Sequence, residues 1–255
     1  MSGKRGETLA GVPPWRKGGE DARIMKARAR QTAWPVLAID GPSGTGKSTI
    51  AQRLALRLGC RYVDTGAMYR AVALLARQRG GVSLDDPRAL AEMLQNFEID
   101  YRKAAGQWRV FLAGRDITDA LRLPGVGEDA SRLSRFREVR AVLVDKQRTL
   151  AREGAVVMEG RDIGTVVLPN ADLKIFLEAD ETERVARRVR QWEAQGIRAS
   201  VRNLTEEIRG RDRRDSNRSE SPLVPARDAV RLDTTRKTIE EVEEEIVRLL
   251  EKRRA

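Results

Sequence analysis

The stretch VLAIDGPSGTGKSTIAQRLALRLG, residues 36–59, constrains this chain more than any other. It holds Gly41-x-x-x-x-Gly46-Lys47-Ser48 between a short apolar run and a segment with helical periodicity. Glycines let successive backbone N–H groups curl around phosphate oxygens, and the N-terminus of the following helix adds its dipole. The Walker A pattern therefore stands here in the strand-loop-helix context that it requires. It predicts a nucleoside triphosphate site built from Gly41, Pro42, Ser43, Gly44, Thr45, Gly46, Lys47, Ser48 and Thr49. In such a loop Lys47 reaches the β and γ phosphates and the Ser48 hydroxyl ligates Mg²⁺.

Composition removes most other chemistries. Histidine is absent from the 255 residues, which excludes a Ser-His-Asp triad, a Cys-His pair and a histidine zinc site. What remains is carboxylates, cations, backbone amides and a metal bound through oxygen. Phosphoryl transfer fits that set, because positioning and charge stabilisation supply most of its catalysis. One cysteine, Cys60, leaves no intrachain disulfide and fits a reducing compartment, so a cytoplasmic location is expected. No run of 18 apolar residues exists to span a bilayer, and the first residues lack the apolar h-region of a secretory signal. A net charge of +11 calls for an anionic partner. Aromatic residues are only 4%, and no basic run is interleaved with stacking rings, which favours nucleotides over nucleic acid.

Residues 1–33 hold 8 Lys/Arg and 3 Asp/Glu with no clean periodicity, and read as a basic, disordered arm. RNA binding by that arm is the less favoured reading. From Val36 onward, strands alternate with helices: VLAI, a helix from about Ser48 to Leu58 ended by Gly59, RYVD, and GAMYRAVALLARQ ended by Gly80-Gly81. Repeated βα units predict a parallel sheet flanked by helices. FEIDYRKAAGQWRVFLAG alternates with period 2 around a glycine turn and predicts a β-hairpin. Arg122 to Glu153 reads as helical, with Pro124 and Gly127 breaking its start. AVVMEG, LKIFLEA and AVRLD are further strands. Asp180 with Glu183 and Thr238 with Glu241 read as capping boxes. The second opens an amphipathic helix with Ile239, Val242, Ile246, Leu249 and Leu250 on its apolar side. Glu159 closes the AVVMEG run without a Walker B pattern and receives no role of its own.

Residues 184–218 contain 11 arginines and no lysine, which suggests bidentate recognition of phosphate oxygens by a flap that excludes water when closed. Taken with AIDGPSGTGKST, YVDTGAMYRAVAL, ASRLSRFREVRAVLVDKQR, MEGRDIGTVVLPNADLKIFL, RDRRDSNRSESPLVPARDA and RLDTT, the chain from about 36 to 250 resembles the bacterial cytidylate kinases. The combination of D-T-G-A-M-Y-R, G-R-D-I-G-T-V-V and D-S-N-R carries that resemblance. It implies a P-loop NTPase α/β fold with core segments 34–81, 136–180 and 219–255. An inserted NMP-binding subdomain would occupy about 82–135 and an Arg-rich lid about 181–218.

The resemblance also implies roles. Thr65 and Arg70 fall where the acceptor's α-phosphate is held. Ser131, Arg140 and Asp162 match positions that read cytosine. Arg161 and Arg218 match phosphate-binding arginines, Arg211 a lid arginine near the transferred phosphate, and Asp215 the contact to the ribose hydroxyls. With Lys47, the arginines Arg161, Arg211 and Arg218 form the implied catalytic set. The substrates implied are ATP with Mg²⁺ and CMP or dCMP, and a monomer is expected. Base chemistry agrees: a carboxylate accepting from cytosine N4 and a guanidinium donating to N3/O2 complement that base, and Asp162 with Arg140 supplies both. An ion pair serving structure alone is the competing reading of these two side chains. A kinase of another small acceptor, or a nucleic-acid-binding protein, is the competing reading of the whole.

Overall fold

Five short runs rich in Val, Leu and Ile each end at a glycine or a charge, and each becomes a strand. The computed structural model describes residues 35–79, 82–104, 106–194, 196, 198 and 200–254. Its main strands are β1 (Val36–Asp40), β2 (Arg61–Asp64), β6 (Val156–Glu159), β7 (Leu173–Glu178) and β8 (Val230–Asp233). They form one sheet in the order β2-β6-β1-β7-β8, with every pair parallel. β1 is central and buried from Leu37 to Asp40, as a parallel sheet covered on both faces demands.

The helices are α1 (Lys47–Leu58), α2 (Thr65–Arg79), α3 (Pro87–Met93), α4 (Val126–Leu133), α5 (Arg137–Arg152), α6 (Glu181–Glu193), α7 (Val201–Asn217) and α8 (Ile239–Arg254). Side chains alternate across a strand, so Leu37 and Ile39 face one side of the sheet and Ala38 the other. Ile50 and Leu54 of α1 with Val242, Ile246 and Leu250 of α8 cover the first side. Met68 and Val72 of α2, Leu90 of α3 and Leu143 of α5 cover the second. The loops after β1 and β6 and the start of α2, which follows β2 directly, therefore lie together at the carboxyl edge of the sheet, where α/β folds place ligands.

The alternating segment is the expected hairpin. β3 (Ile99–Ala104) pairs antiparallel with β4 (Gln107–Leu112), and β5 (Arg115–Asp116) adds a short third strand. This small sheet docks beside β2. The Tyr101 hydroxyl donates to the Asp64 carbonyl at 2.6 Å, and the Trp108 ring packs, tilted by 51°, with its centroid 5.7 Å from that of Tyr62. Residues 34–255 form one compact unit. The arm expected at 1–33, and the glycines expected to stop α2 at 80–81, lie outside the described residues. Among the described residues, no helix is long and apolar enough to cross a membrane.

Three local expectations need correction. Gly127 does not break a helix; it lies inside α4, and Gly125, at φ 78°, is the residue that starts it. The interruption falls instead at 134–136, where the Ser134 hydroxyl donates to the Ser131 carbonyl at 2.9 Å and closes α4. Ile239 is 41% exposed, so the apolar stripe of α8 begins at Val242. The two capping boxes also diverge. The Thr238 N–H donates to Glu241 Oε2 at 2.7 Å, and the Glu241 N–H donates back to Thr238 Oγ1 at 3.2 Å. Asp180 makes no side-chain cap bond; the reciprocal half of its box is missing too, because its N–H donates to Thr235 Oγ1 at 3.0 Å and Glu183 pairs with Arg187 and Arg190 at 2.9 Å each. A guanidinium binds a carboxylate more strongly than a neutral amide does.

Thr238→Ala is therefore expected to lower the unfolding free energy by about 1 kcal/mol. Asp180→Ala should change it by only a few tenths, roughly the size of a helix-dipole effect. Urea titration of both variants checks the contrast, and equal losses would contradict it.

Candidate active site

The loop between β1 and α1 has a geometry that only glycine permits at its ends. Gly41 takes φ +146°, and a Cβ there would meet the Leu177 carbonyl oxygen at 2.2 Å. Gly46 takes φ 89° immediately before α1. Lys47, the first helical residue, is buried and turns back over the loop. Its Nζ donates to the Pro42 carbonyl at 2.6 Å and to Thr45 Oγ1 at 3.4 Å. Burial, then the charge of Arg161, pulls its ammonium down to about 7. Ser48 and Thr49 occupy the exposed first turn of α1.

Beside this loop, β6 ends in Glu159. Its carboxylate accepts from the Tyr62 hydroxyl at 2.8 Å, and the nearby Ser48 hydroxyl favours its charged form. Burial, then Asp64, pushes this carboxyl up. The sequence reading assigned Glu159 no role, yet it stands next to both Lys47 and Ser48. The only signal was an apolar strand ending in an acid. Among the described residues no three acids or sulfur or imidazole ligands gather to hold a metal alone. One hydroxyl and one carboxylate suit Mg²⁺, which keeps several waters and takes its other ligands from substrate phosphates. The Glu159 carbonyl accepts from the Thr65 hydroxyl at 2.8 Å, and Arg70, one helical turn on, pairs with Asp64 at 2.6 Å.

The G-R-D segment follows β6 and leads into one turn of π-helix, Ile163–Val167. The carboxylate of Asp40, at the end of β1, accepts from the N–H groups of Ile163 and Gly164 at 2.8 and 2.7 Å. That anchor sends Arg161 and Asp162 to different partners. Asp162 pairs with Arg140 of α5, and Arg218 Nη2 stands 3.7 Å from its other oxygen. Arg161 Nε donates to Asp215 Oδ2 at 2.9 Å. Ser131 comes near rather than into this pair: its hydroxyl accepts from Arg214 at 3.3 Å, while Arg140 lies 3.5 Å from the Ser134 carbonyl.

Helices α6 and α7 bring the remaining cations, held over a small apolar contact of Val185, Leu204 and Ile208. Arg211 lies 4.0 Å from Asp215. Burial, then Arg161, lowers its guanidinium to about 10, with Arg70 and Arg188 adding to the repulsion. Burial opposes the charge on Asp215, but Arg161, Arg211 and Arg218 together hold its carboxyl low. Arg188 was not singled out in the sequence, yet it belongs to this group: burial lowers it and Arg70 crowds it. Arg184, a turn earlier on α6, donates to the Ser43 carbonyl at 3.0 Å and pairs with Asp212 of α7. Among the described residues, the buried Arg211 Nε and Arg218 Nη2 have no hydrogen-bond partner. Buried guanidinium N–H groups without acceptors are costly, and oxygens of an anionic ligand would be suitable acceptors for them.

A phosphate cradle opening onto a second, guanidinium-lined cluster defines a P-loop phosphotransferase. The cytidylate kinase family matches this chain over residues 37–252. Cytidylate kinases of Ligilactobacillus salivarius and Exiguobacterium sibiricum are each 46% identical to it, over 217 and 215 residues. Those alignments cover 85% and 84% of this chain and 96% of each relative. A bifunctional pantoate ligase/cytidylate kinase of Synechococcus elongatus is 45% identical over 233 residues, covering 89% of this chain. The chain spans only 44% of that longer protein. The chain belongs to the cytidylate kinase family.

Asp40 yields a pH test of the site's anchor. Burial raises its carboxyl from 3.8 to about 6, against the pull of its two amide bonds. Between those values the folded chain holds a proton that the unfolded chain has released. The contribution of Asp40 to stability is thus complete below about pH 4 and lost as pH rises through about 6. The difference in unfolding free energy between the natural chain and Asp40→Asn should fall by about 1–3 kcal/mol from pH 4 to pH 7. Urea titrations at several pH values measure it; a flat difference would contradict the assignment.

Proposed function

We propose that this chain transfers the γ-phosphoryl group of ATP to CMP and dCMP, giving ADP and CDP or dCDP by direct in-line displacement. The reading rests on one observation above all: the buried donors of Arg211 and Arg218 that make no hydrogen bond, gathered with Arg161 beside the cradle of Lys47. An oxygen of the acceptor's phosphate forms the new bond to the γ phosphorus as the bond to the β–γ bridging oxygen breaks. That oxygen is already anionic, so no general base is needed, in keeping with a chain that has no histidine. Lys47 and the guanidiniums of Arg161, Arg188, Arg211 and Arg218 offset charge spreading over the equatorial oxygens. Ser48 and Glu159 would hold Mg²⁺, which when bound screens the phosphate oxygens. The ATP-binding set is residues 41–49, and Thr65 with Arg70 takes the acceptor's phosphate.

Asp162 and Arg140 lie side by side as a carboxylate and a guanidinium, which supports their reading of cytosine. Uracil would turn a carbonyl toward Asp162 and leave it facing another acceptor, an unmade bond costing about 1–3 kcal/mol. Asp215 takes the ribose and Ser131 borders the base. Residues 82–135 serve as the acceptor-binding insert, and 181–218, with α6 and α7, as a lid that shields ATP from water. The enzyme acts as a monomer in the cytoplasm.

A coupled ADP assay with CMP, dCMP, UMP and AMP tests the acceptor; no turnover of CMP overturns the proposal. Lys47→Ala should lower kcat by about 100-fold or more while the chain still folds. Asp162→Ala should shrink the CMP over UMP preference by about tenfold, and an unchanged ratio would return Asp162 to a purely structural pairing.

A further inference from the structure

Arg140 is gripped from more sides than base recognition by itself accounts for. Its Nη2 meets Asp162 from the π-turn. Its Nη1 donates to the hydroxyl of Tyr69 at 3.2 Å and reaches the Ser134 carbonyl only at 3.5 Å. Tyr69 belongs to α2, one turn after Thr65 and one residue before Arg70. Residues four apart share a helix face, so the helix that carries the phosphate contacts also carries the hydroxyl that touches the base-reading guanidinium. The ring is 9% exposed and packed in the core formed with α4 and α5. Burial pushes its hydroxyl up to about 12, so it stays neutral at any working pH and can accept from Arg140.

We propose that Tyr69 is a positioning residue for base specificity, its hydroxyl fixing the plane of the Arg140 guanidinium so that Arg140 and Asp162 present complementary edges to cytosine. This inference rests on the base-reading role of Arg140 and Asp162. Without the hydroxyl, Nη1 keeps only the long contact to Ser134, and the fork is free to rotate about its single strong bond to Asp162. A rotated fork binds CMP less well. It binds UMP, for which the pair is already mismatched, about as before.

The test is steady-state kinetics of the full chain with ATP and either CMP or UMP. Tyr69→Phe keeps the ring and removes one oxygen. It should lower kcat/KM for CMP about tenfold, the loss of one hydrogen bond to a charged group, through KM rather than kcat. The value for UMP should change by less than about twofold. In an Arg140→Ala background, Tyr69→Phe should change neither substrate further, because the effect passes through Arg140. Equal losses for CMP and UMP, or the same loss in the Arg140→Ala background, would show that Tyr69 only supports the fold and overturn the proposal. If Asp162→Ala leaves the CMP over UMP ratio unchanged, the base-reading assignment fails and takes this inference with it. If Asp162→Ala narrows that ratio and Tyr69→Phe does not, the Tyr69 assignment alone falls.

Discussion

Cations held side by side away from bulk water set the terms for this structure. Lys47 is lowered by burial and then by Arg161 and Arg211. Arg211 is lowered by burial and then by Arg161, Arg70 and Arg188. Three carboxylates stand directly among these groups, Glu159 beside Lys47, Asp64 on Arg70 and Asp215 on Arg161 and Arg211. Like charges in a low-dielectric pocket repel strongly, and only nearby anions offset the cost of burying them. A rigid scaffold with a large apolar core is needed to keep them together. The five-stranded sheet, covered by apolar side chains on both faces, is that scaffold.

The sheet performs this task through the carboxyl end of β1. Asp40 is the last residue of the strand, and the next residue opens the phosphate loop. Its two oxygens hold the amides that follow Asp162, while the Gly160 N–H donates to the Ile39 carbonyl at 3.0 Å. One strand end thus places both the cradle and the Arg161–Asp162 segment. Neither can drift from the other without breaking backbone hydrogen bonds in the core. This link explains why a carboxylate with no direct part in phosphate binding is kept buried, against an unfavourable desolvation.

What was legible in the sequence follows the range of the interactions involved. Strand positions, the cradle and the hairpin are dictated by neighbours a few residues apart, and they stand where periodicity and glycines placed them. Thr238 capped its helix as expected because no other side chain competed for Glu241. The Asp180 box did not close: Thr235 took the Asp180 N–H, Arg187 and Arg190 took Glu183, and local capping rules do not weigh such rivals. Glu159 received no role, and Arg188 and Tyr69 were not singled out, because local rules are equally blind to distant partners. Each gains its meaning from residues far away in the chain: Ser48 for Glu159, Arg70 for Arg188, Arg140 for Tyr69. A count of arginines in 184–218 pointed to anion recognition without saying which side chains converge.

Those distant contacts also make the site act as a unit. The Ser43 peptide is bound on both sides: its N–H donates to Asp212 at 3.2 Å, and its carbonyl accepts from Arg184. Arg184 and Asp212 pair with each other across α6 and α7. Gly44 lies so close beneath α6 that a Cβ there would stand 3.0 Å from the Cβ of Arg184. Arg187 donates to Thr234, whose one hydroxyl proton lies between the Glu178 carbonyl at 3.0 Å and the Thr45 carbonyl at 3.3 Å. The phosphate loop, the last strand and both arginine-bearing helices therefore share one set of hydrogen bonds. Residues within one such network couple energetically, so losses from changing Arg184, Asp212 or Arg187 cannot be summed as if each acted on the phosphates alone. Part of every such loss is a displacement of the loop itself, felt by each N–H group that the cradle presents.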